Sequence, residues 1–252
     1  MMTEKTGGRL VIFSGPSCVG KSPLAKSLAR LYPVLHKSLK PLILYNSRAA
    51  RPGETDGVDY YFRPRHEIEN LREKDGYIVM DVRGDLQALD LRELRQSLAR
   101  GNVFFEGNPF FGRVLQTHPS LADLKRLSIF MSPLSRKEIL FLKEATPGVS
   151  LPDLVTDVMR RKLLRRTRRQ KGEISLKDLE NIERRASSAY NELKEAQHFQ
   201  YVIPNHDGED SENKDAFYYP LGDARVALDA FVSLLGNVVP STVETWEEEL
   251  IP

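Results

Sequence analysis

The chain has 252 residues, 40% hydrophobic and 29% charged, which is enough for one substantial core or a core with a small appended lobe. Its 37 Lys and Arg nearly balance its 35 Asp and Glu, so the formal net charge of +2 demands neither nucleic acid nor an anionic membrane as a partner. The sequence has one cysteine, Cys18, which excludes an intramolecular disulfide and is typical of a reducing compartment. No apolar run reaches the roughly 18 to 20 residues that span a bilayer, and residues 1–8 lack the apolar segment of a signal peptide. We therefore expect a soluble, cytoplasmic protein.

A glycine-bounded loop follows the first apolar run, Arg9 to Phe13, and ends in Gly-Lys-Ser. Leu24, Leu28 and Leu31 then recur at helical spacing, so strand, loop and helix stand in the order of a P-loop. Its glycines let successive N–H groups turn toward a phosphate, its lysine supplies a cation, and its serine offers a hydroxyl to Mg²⁺. We therefore predict ATP binding by Gly15, Pro16, Ser17, Cys18, Val19, Gly20, Lys21 and Ser22, with Ser22 at the magnesium ion.

A second cationic segment follows the short apolar run Pro41 to Tyr45, which we predict to be a buried strand. Arg48 and Arg51 lie three residues apart and precede a Pro-Gly pair and adjacent tyrosines. The planar guanidinium of arginine binds a phosphate through two parallel hydrogen bonds, so this loop is a candidate anion site. Taken alone, the same composition also fits a solvated turn with ordinary surface arginines.

Together, the two segments resemble guanylate kinase, a nucleoside monophosphate kinase. The resemblance rests on Ser14 to Ser22 and then on Arg48, Arg51 to Glu54, Gly57, Tyr60 and Phe62. It implies an α/β P-loop NTPase fold of three layers, with a parallel sheet core, an inserted nucleoside-monophosphate-binding lobe and a helical arginine-rich lid. It also implies phosphoryl transfer from ATP to GMP or dGMP with Mg²⁺, and places Arg48, Arg51 and Tyr60 at the acceptor phosphate.

The resemblance suggests a single domain over residues 1–252. We expect its core at about 8–44, 101–135 and 195–236, the acceptor lobe at about 45–100 and the lid at about 136–194. A C-terminal extension occupies 237–252. Trp246 in this extension anchors either to the body of the protein or to a partner subunit, which leaves a homodimer open.

The predicted strand Gly76 to Val82 departs from the family, which carries there a glutamate that reads the guanine edge. Val79 holds that position, and Gly84 to Leu89 replaces the Gly-Asn-Tyr-Tyr-Gly turn. Asp81 shares the face of Val79, because side chains alternate along a strand, and is either a substitute reader or a solvated strand-end acid. This departure keeps two alternatives open, namely another nucleotide or a phosphorylated sugar as acceptor. A non-catalytic interaction module is a third, against which Lys21 and Ser22 argue.

An acid ends the next predicted strand, Asn102 to Asn108, which follows an amphipathic helix from Leu91 to Arg100. Ligands of parallel sheets lie outside the carboxyl ends of the strands, so Glu106 is expected on the P-loop side. There it would hold Mg²⁺ through water, position the acceptor, or simply end the strand.

Seven of the ten residues from Arg160 to Arg169 are cationic. The absence of interleaved aromatic residues disfavours a nucleic-acid patch, which leaves a solvated helix face or a lid that closes over phosphate. The segment Ile182 to Leu193 resembles the lid helix of guanylate kinases. We therefore predict Arg185 as one lid arginine, with Arg168 or Arg169 as the second.

The last predicted strand, Tyr201 to Asn205, ends where the resemblance places the adenine-contacting loop, which makes Asn205 a candidate ATP contact. Residues 206–215 then form an acidic insertion that we expect to be mobile. A helix is predicted from Asp223. The five histidines and single cysteine show no metal-ligand spacing.

Overall fold

The structure is a computed structural model that describes residues 7–51, 53–145 and 150–251. Residues 1–6, which bear on the signal-peptide expectation, and Pro52 of the arginine loop lie outside the described residues, as do 146–149 in the lid and Pro252.

The described part of the chain folds into an α/β arrangement with two sheets. Its strands are β1 (Leu10–Ser14), β2 (Leu39–Pro41), β3 (Tyr45–Asn46), β4 (Tyr61–Phe62), β5 (Tyr77–Val82), β6 (Asp85–Asp90), β7 (Asn102–Gly107), β8 (Arg126–Ser132) and β9 (Tyr201–Pro204). Its α-helices are α1 (Lys21–Leu31), α2 (Pro33–Lys37), α3 (Arg65–Glu69), α4 (Leu91–Arg100), α5 (Pro109–Thr117), α6 (Arg136–Ala145), α7 (Leu151–Lys171), α8 (Leu176–Lys194) and α9 (Gly222–Leu235). Short 3₁₀ turns cover Asn70–Glu73, Pro119–Leu121, Glu195–His198 and Glu248–Leu250.

The core sheet has five parallel strands in the order β2-β7-β1-β8-β9. Strand β1 lies at its centre and is buried along its whole length, as expected for an apolar strand covered on both faces. Leu10 and Ile12 pack into one hydrophobic cluster, while Val11 and Phe13 pack into the other. Strand alternation thus divides the core into two layers of side chains.

Helices cover both faces of this sheet. Leu24 and Leu28 of α1 and Phe231 of α9 pack against the Val11 and Phe13 face. The other face is covered by apolar side chains of α4, α5, α7 and α8, such as Leu94 and Phe111. The predicted three-layer fold with a parallel core is confirmed.

The segment predicted to be the acceptor lobe contains a second sheet in the order β4-β3-β6-β5, in which β3 pairs parallel to β4 and antiparallel to β6. Two predictions fail here. The strand expected over Pro41 to Tyr45 is split, because Leu39–Pro41 pairs with β7 of the core sheet and Tyr45–Asn46 pairs in the lobe. Residues 84 to 89, expected as a turn, mostly belong to β6, because a hairpin turn at Arg83 and Gly84 reverses the chain against β5.

The C-terminal segment packs onto the body of the same chain. Glu244 forms an antiparallel bridge with Val202, and the Trp246 indole donates a hydrogen bond of 2.8 Å to Glu244. Trp246, Leu250 and Ile251 are buried in the larger cluster. Trp246 was predicted to pack either on the body of its own chain or on a partner subunit, and in the structure it packs on its own chain. Among the described residues, no helix is long and apolar enough to cross a bilayer.

Candidate active site

The loop between β1 and α1 folds into a compact phosphate cradle. Gly15 (φ 153°) and Gly20 (φ 110°) both have positive φ, and a Cβ would lie 2.3 Å from the Met131 carbonyl oxygen at the first and 2.4 Å from Asn205 Nδ2 at the second. Only glycine fits both positions. The Lys21 ammonium donates to the carbonyl oxygens of Gly15 (2.7 Å) and Pro16 (2.8 Å), and burial lowers its pKa.

Ser22 and Glu106 form the polar floor beside this cradle. The register places Glu106 opposite Phe13 on the neighbouring strand, and the Ser22 hydroxyl donates to Glu106 Oε1 at 2.7 Å. Burial raises the pKa of Glu106, and the hydrogen bond from Ser22 and the charge of Lys21 only partly oppose that shift. A hydroxyl and a carboxylate are ligands that suit Mg²⁺. Among the described residues no group of three or more His, Cys, Asp and Glu could hold a metal ion, so a cation here would need phosphate oxygens as further ligands.

A second anion site faces the cradle from the acceptor lobe. The Arg48 guanidinium makes two hydrogen bonds to Glu54, of 2.6 and 2.7 Å, and lies 5.2 Å from the centre of the Tyr60 ring. The Arg51 backbone N–H donates to the same carboxylate at 2.8 Å. Burial and then the charge of Arg48 lower the pKa of Arg51, and burial raises the pKa of Tyr60. Glu54 therefore holds the arginine loop in place, and Arg48, Arg51 and Tyr60 all line the cleft that contains Lys21.

Two arginines of the lid helices complete this cleft, which has a volume of about 590 Å³. Arg185 on α8 is 8% exposed, and its guanidinium has no hydrogen-bond partner among the described residues. Burial, followed by the charges of Arg51, Arg166, Arg83 and Arg48, lowers the pKa of Arg185 to about 9. Arg166 on α7 also lines the cleft, and its Nε is buried without a partner in the described structure. Such crowded cations are typical of a site that binds several negative charges.

Known proteins are similar to this chain in sequence. The family model described as guanylate kinase matches residues 7–105. A guanylate kinase of Synechococcus sp. (strain JA-3-3Ab) is 32% identical over 218 residues, which cover 85% of this chain and 84% of the relative. The chain belongs to the guanylate kinase family.

Further relatives and a solved structure agree with this assignment. A guanylate kinase of Helicobacter hepaticus is 26% identical over 201 residues, covering 79% of this chain and 84% of the relative. The crystal structure of guanylate kinase from Anaplasma phagocytophilum matches with a TM-score of 0.52 and 18% identity, over 94% of this chain and 90% of that one. This structural match supports the fold assignment alone.

Several residues predicted for guanylate kinase roles lie away from the cleft. Arg168 and Arg169 are exposed on α7, and Arg169 instead donates to the Ser211 carbonyl oxygen at 3.3 Å. A helix turns about 100° per residue, so Arg168 projects on nearly the opposite side from Arg166. The structure thus brings Arg166, and neither predicted candidate, to Arg185.

Asp81 lies on the wrong face of β5 to reach the cleft. It accepts hydrogen bonds from the Gly84 backbone N–H (2.7 Å) and from Arg65 (3.4 Å), while Val79 on the same face packs against a small cluster that contains Ile68. The structure therefore favours the strand-end alternative for Asp81 over the base-reading one.

Asn205 is 2% exposed and lies beneath the cradle rather than along the cleft. Its side-chain amide donates to the Val19 carbonyl oxygen (2.8 Å) and the Asp207 carbonyl oxygen (3.1 Å). In this structure it supports the phosphate loop from below.

The acidic insertion, which the sequence predicts to be mobile, makes specific contacts within itself and with two helices. The Asp207 carboxylate accepts hydrogen bonds from Ser211, Asn213 and the backbone N–H of Asp223, which joins the loop to the start of α9. Buried Asp210 pairs with Lys162 of α7 at 3.0 Å. Composition alone suggested a solvated segment, whereas Asp207 bonds both within the loop and to α9, and Asp210 bonds to α7.

Sequence reasoning missed several side chains that line the cleft, among them Arg83, Gln87, Arg166 and Glu209. Arg83, in the β5–β6 turn, pairs with buried Glu192 of α8 and donates to the Ser17 hydroxyl at 3.2 Å. Arg166 could have been found from helical spacing, because it follows the fully buried Leu163 by three residues. No local pattern marks Glu209, whose position depends on how its loop packs.

Proposed function

We propose that this chain transfers the γ-phosphoryl group of ATP to GMP and releases ADP and GDP. The observation that carries the proposal is the convergence of Lys21, Arg48, Arg51, Arg166 and Arg185 on one cleft. Among the described residues, seven Lys and Arg side chains line the cleft against five carboxylates, those of Glu54, Asp59, Asp85, Glu106 and Glu209. Phosphates of two substrates would neutralise that excess charge. Membership of the guanylate kinase family supports the same reaction.

The donor side would hold ATP through the phosphate cradle. The N–H groups between Gly15 and Ser22 and the N-terminal end of α1 would surround the phosphates of ATP. The Lys21 ammonium donates to two carbonyl oxygens of its own loop and would exchange them for phosphate oxygens when ATP binds. This exchange keeps the charged group hydrogen-bonded throughout.

Magnesium would bind beside the cradle, held by the Ser22 hydroxyl and approached by the Glu106 carboxylate. When bound, the ion supplies positive charge that neutralises the phosphate oxygens. The chain's own contribution is the Ser22 to Glu106 hydrogen bond of 2.7 Å, which fixes both oxygen atoms at one edge of the site.

The acceptor side would orient GMP by its phosphate. Arg48 and Arg51, held by Glu54, together with the Tyr60 hydroxyl would point an oxygen of that phosphate at the γ-phosphorus of ATP. A new P–O bond forms there as the bond to the bridging oxygen of ADP breaks. No general base is needed, because the attacking phosphate oxygen is already an anion.

Arg166 and Arg185 would close the cleft over the transferring group. Their guanidinium groups would neutralise charge on its oxygens and exclude water, which otherwise would divert the reaction to ATP hydrolysis. The ion pair between Arg83 and Glu192 connects the acceptor lobe to α8, the helix that carries Arg185. Lid and acceptor lobe would therefore move into place together.

A coupled assay of ADP formation with ATP, Mg²⁺ and GMP tests the proposal directly. We expect turnover that depends on GMP and exceeds the rate without acceptor by at least about 10²-fold. ATP hydrolysis that is indifferent to GMP, or no ADP at any GMP concentration, would contradict it.

A further inference from the structure

The face of the lobe sheet that looks into the cleft carries two amide side chains. Alternation along β5 and β6 directs Ile78, Val82 and Leu89 toward the main core, and Gln87 shares their face. Asn46 on β3 lies directly opposite Gln87 in the antiparallel register. Directly opposed residues have Cβ atoms about 5 Å apart, so the two amides are close neighbours.

Both amides are buried, and their polar groups are largely unused. Gln87 is 7% exposed and Asn46 is 1% exposed, yet both line the cleft. Among the described residues the Gln87 amide has no hydrogen-bond partner. Asn46 Oδ1 accepts the Arg48 backbone N–H at 3.1 Å, which leaves the Asn46 NH₂ group without a partner there. Buried amides normally find partners, so this pair is prepared for a ligand.

The position of the pair indicates which part of a nucleotide it would meet. Asn46 and Gln87 lie between the arginine loop that begins at Arg48 and the apolar end of the sheet at Leu44 and Leu89. Asp85, the carboxylate on the same face, lies nearer the phosphate end, because the antiparallel register that pairs Asn46 with Gln87 places Asp85 opposite Arg48 when it is continued by two residues. A monophosphate anchored at Arg48 and Arg51 would therefore extend its nucleoside over the amide pair.

We infer that Asn46 and Gln87 read the N1–H and O6 edge of a 6-oxopurine, an inference that rests on the proposed function. The Asn46 NH₂ group donates to O6, because the Arg48 N–H fixes its oxygen on the other side. The Gln87 carbonyl oxygen accepts N1–H. Adenine has an acceptor at N1 and a donor amino group at C6, the reverse of a 6-oxopurine. Asn46 could accept from that amino group only by turning its amide, which would break its hydrogen bond with the Arg48 N–H. The pair itself offers no carboxylate to the 2-amino group, so it does not distinguish guanine from hypoxanthine.

Kinetics and binding with three monophosphates test this assignment. We expect kcat/KM for IMP within about tenfold of the value for GMP, and a value for AMP lower by at least about 10²-fold, because the site would leave buried polar groups unpaired. Gln87→Leu should lower kcat/KM for GMP and IMP alike by about 10 to 10²-fold. Gln116→Leu, which removes a half-buried amide from α5 outside the cleft, is the matched control.

Gln87→Glu preserves the side-chain size and provides a second test of the amide pair if Gln87→Leu does not fold. Its carboxylate can accept both N1–H and the 2-amino group, so it should favour GMP over IMP by about tenfold or more. Calorimetry of GMP, IMP and AMP without ATP separates the two proposals. Binding without phosphoryl transfer would contradict the kinase function alone. Wild-type GMP affinity in folded Gln87→Leu, or wild-type discrimination between GMP and IMP above about 10²-fold, would overturn the amide reader.

Discussion

The phosphate cradle and the acceptor lobe are built in opposite ways. In the cradle, Lys21 bonds to carbonyl oxygens five and six residues away, and two glycines provide the required backbone angles. In the acceptor lobe, Gln87 lies opposite Asn46, although it is 41 residues further along the chain. Arg166 and Arg185, which line the same cleft, follow Arg51 by more than one hundred residues. A cradle made by one continuous segment tolerates little change. A site assembled from distant segments can change its base-reading groups while keeping its phosphate-binding ones.

The largest loss of kcat should come from a substitution in the cradle, because Lys21 is the ammonium group placed there to contact the phosphates. Lys21→Ala should reduce kcat by about 10³-fold, since it removes a preorganised cation from the transferring phosphoryl group. The coupled assay measures the change, and circular dichroism checks the fold. Lys177→Ala, on the exposed start of α8, is the control and should keep wild-type kcat. An active Lys21→Ala enzyme would place the donor phosphates elsewhere.

Arg166 tests whether the lid belongs to the same site. Arg166→Ala should lower kcat by about 10² to 10³-fold with little change in the KM for GMP, because its guanidinium acts on the transferring group. Arg168→Ala removes an exposed arginine two residues along the same helix and should leave kcat unchanged. If Arg168→Ala lowered kcat and Arg166→Ala did not, Arg168 would be the second lid arginine, as the sequence suggested.

An Arg51 variant tests whether the arginine loop binds the acceptor GMP and not ATP. Arg51→Ala should raise the KM for GMP by about 10 to 10²-fold, since hydrogen bonds to charged groups contribute about 1.5 to 3 kcal/mol. The KM for ATP should change little. Arg65→Ala, an exposed arginine on α3, provides the comparison variant. If the ATP parameters changed instead, the arginine loop would belong to the donor site.

Glu106 should show the smallest effect on turnover and a distinctive effect on stability. Glu106→Gln should lower kcat by about tenfold at saturating Mg²⁺, because the carboxylate beside Ser22, the proposed magnesium ligand, is lost. Burial raises the pKa of Glu106 in the folded state above its ordinary value of 4.5. Its contribution to stability is therefore complete below that ordinary value and is lost as the pH rises through the raised pKa.

The glutamine variant lacks this titration. Without metal, we expect the Tm of Glu106→Gln relative to wild type to increase as the pH rises above 4.5, measured by thermal melts in a chelator. A Tm difference that is constant with pH would mean that Glu106 keeps an ordinary pKa.

Local patterns predicted the parts of the molecule that depend on near neighbours. The cradle, helix α4 from Leu91 to Arg100 and the buried strands of the core followed from glycine spacing and from apolar periodicity. Tertiary packing decided the rest. The run from Pro41 to Tyr45 looked like one strand, and its division between two sheets depends on which partners each end meets.

The sequence by itself was enough to predict a phosphate site between β1 and α1 and a resemblance to the guanylate kinases, because a P-loop is a continuous segment whose backbone angles and charges depend on adjacent residues. Only the tertiary structure decided that Arg166 faces the cleft, that Asp81 does not, and that Gln87 stands opposite Asn46. These depend on helix rotation and strand register, which are set by the packing of segments far apart in the chain.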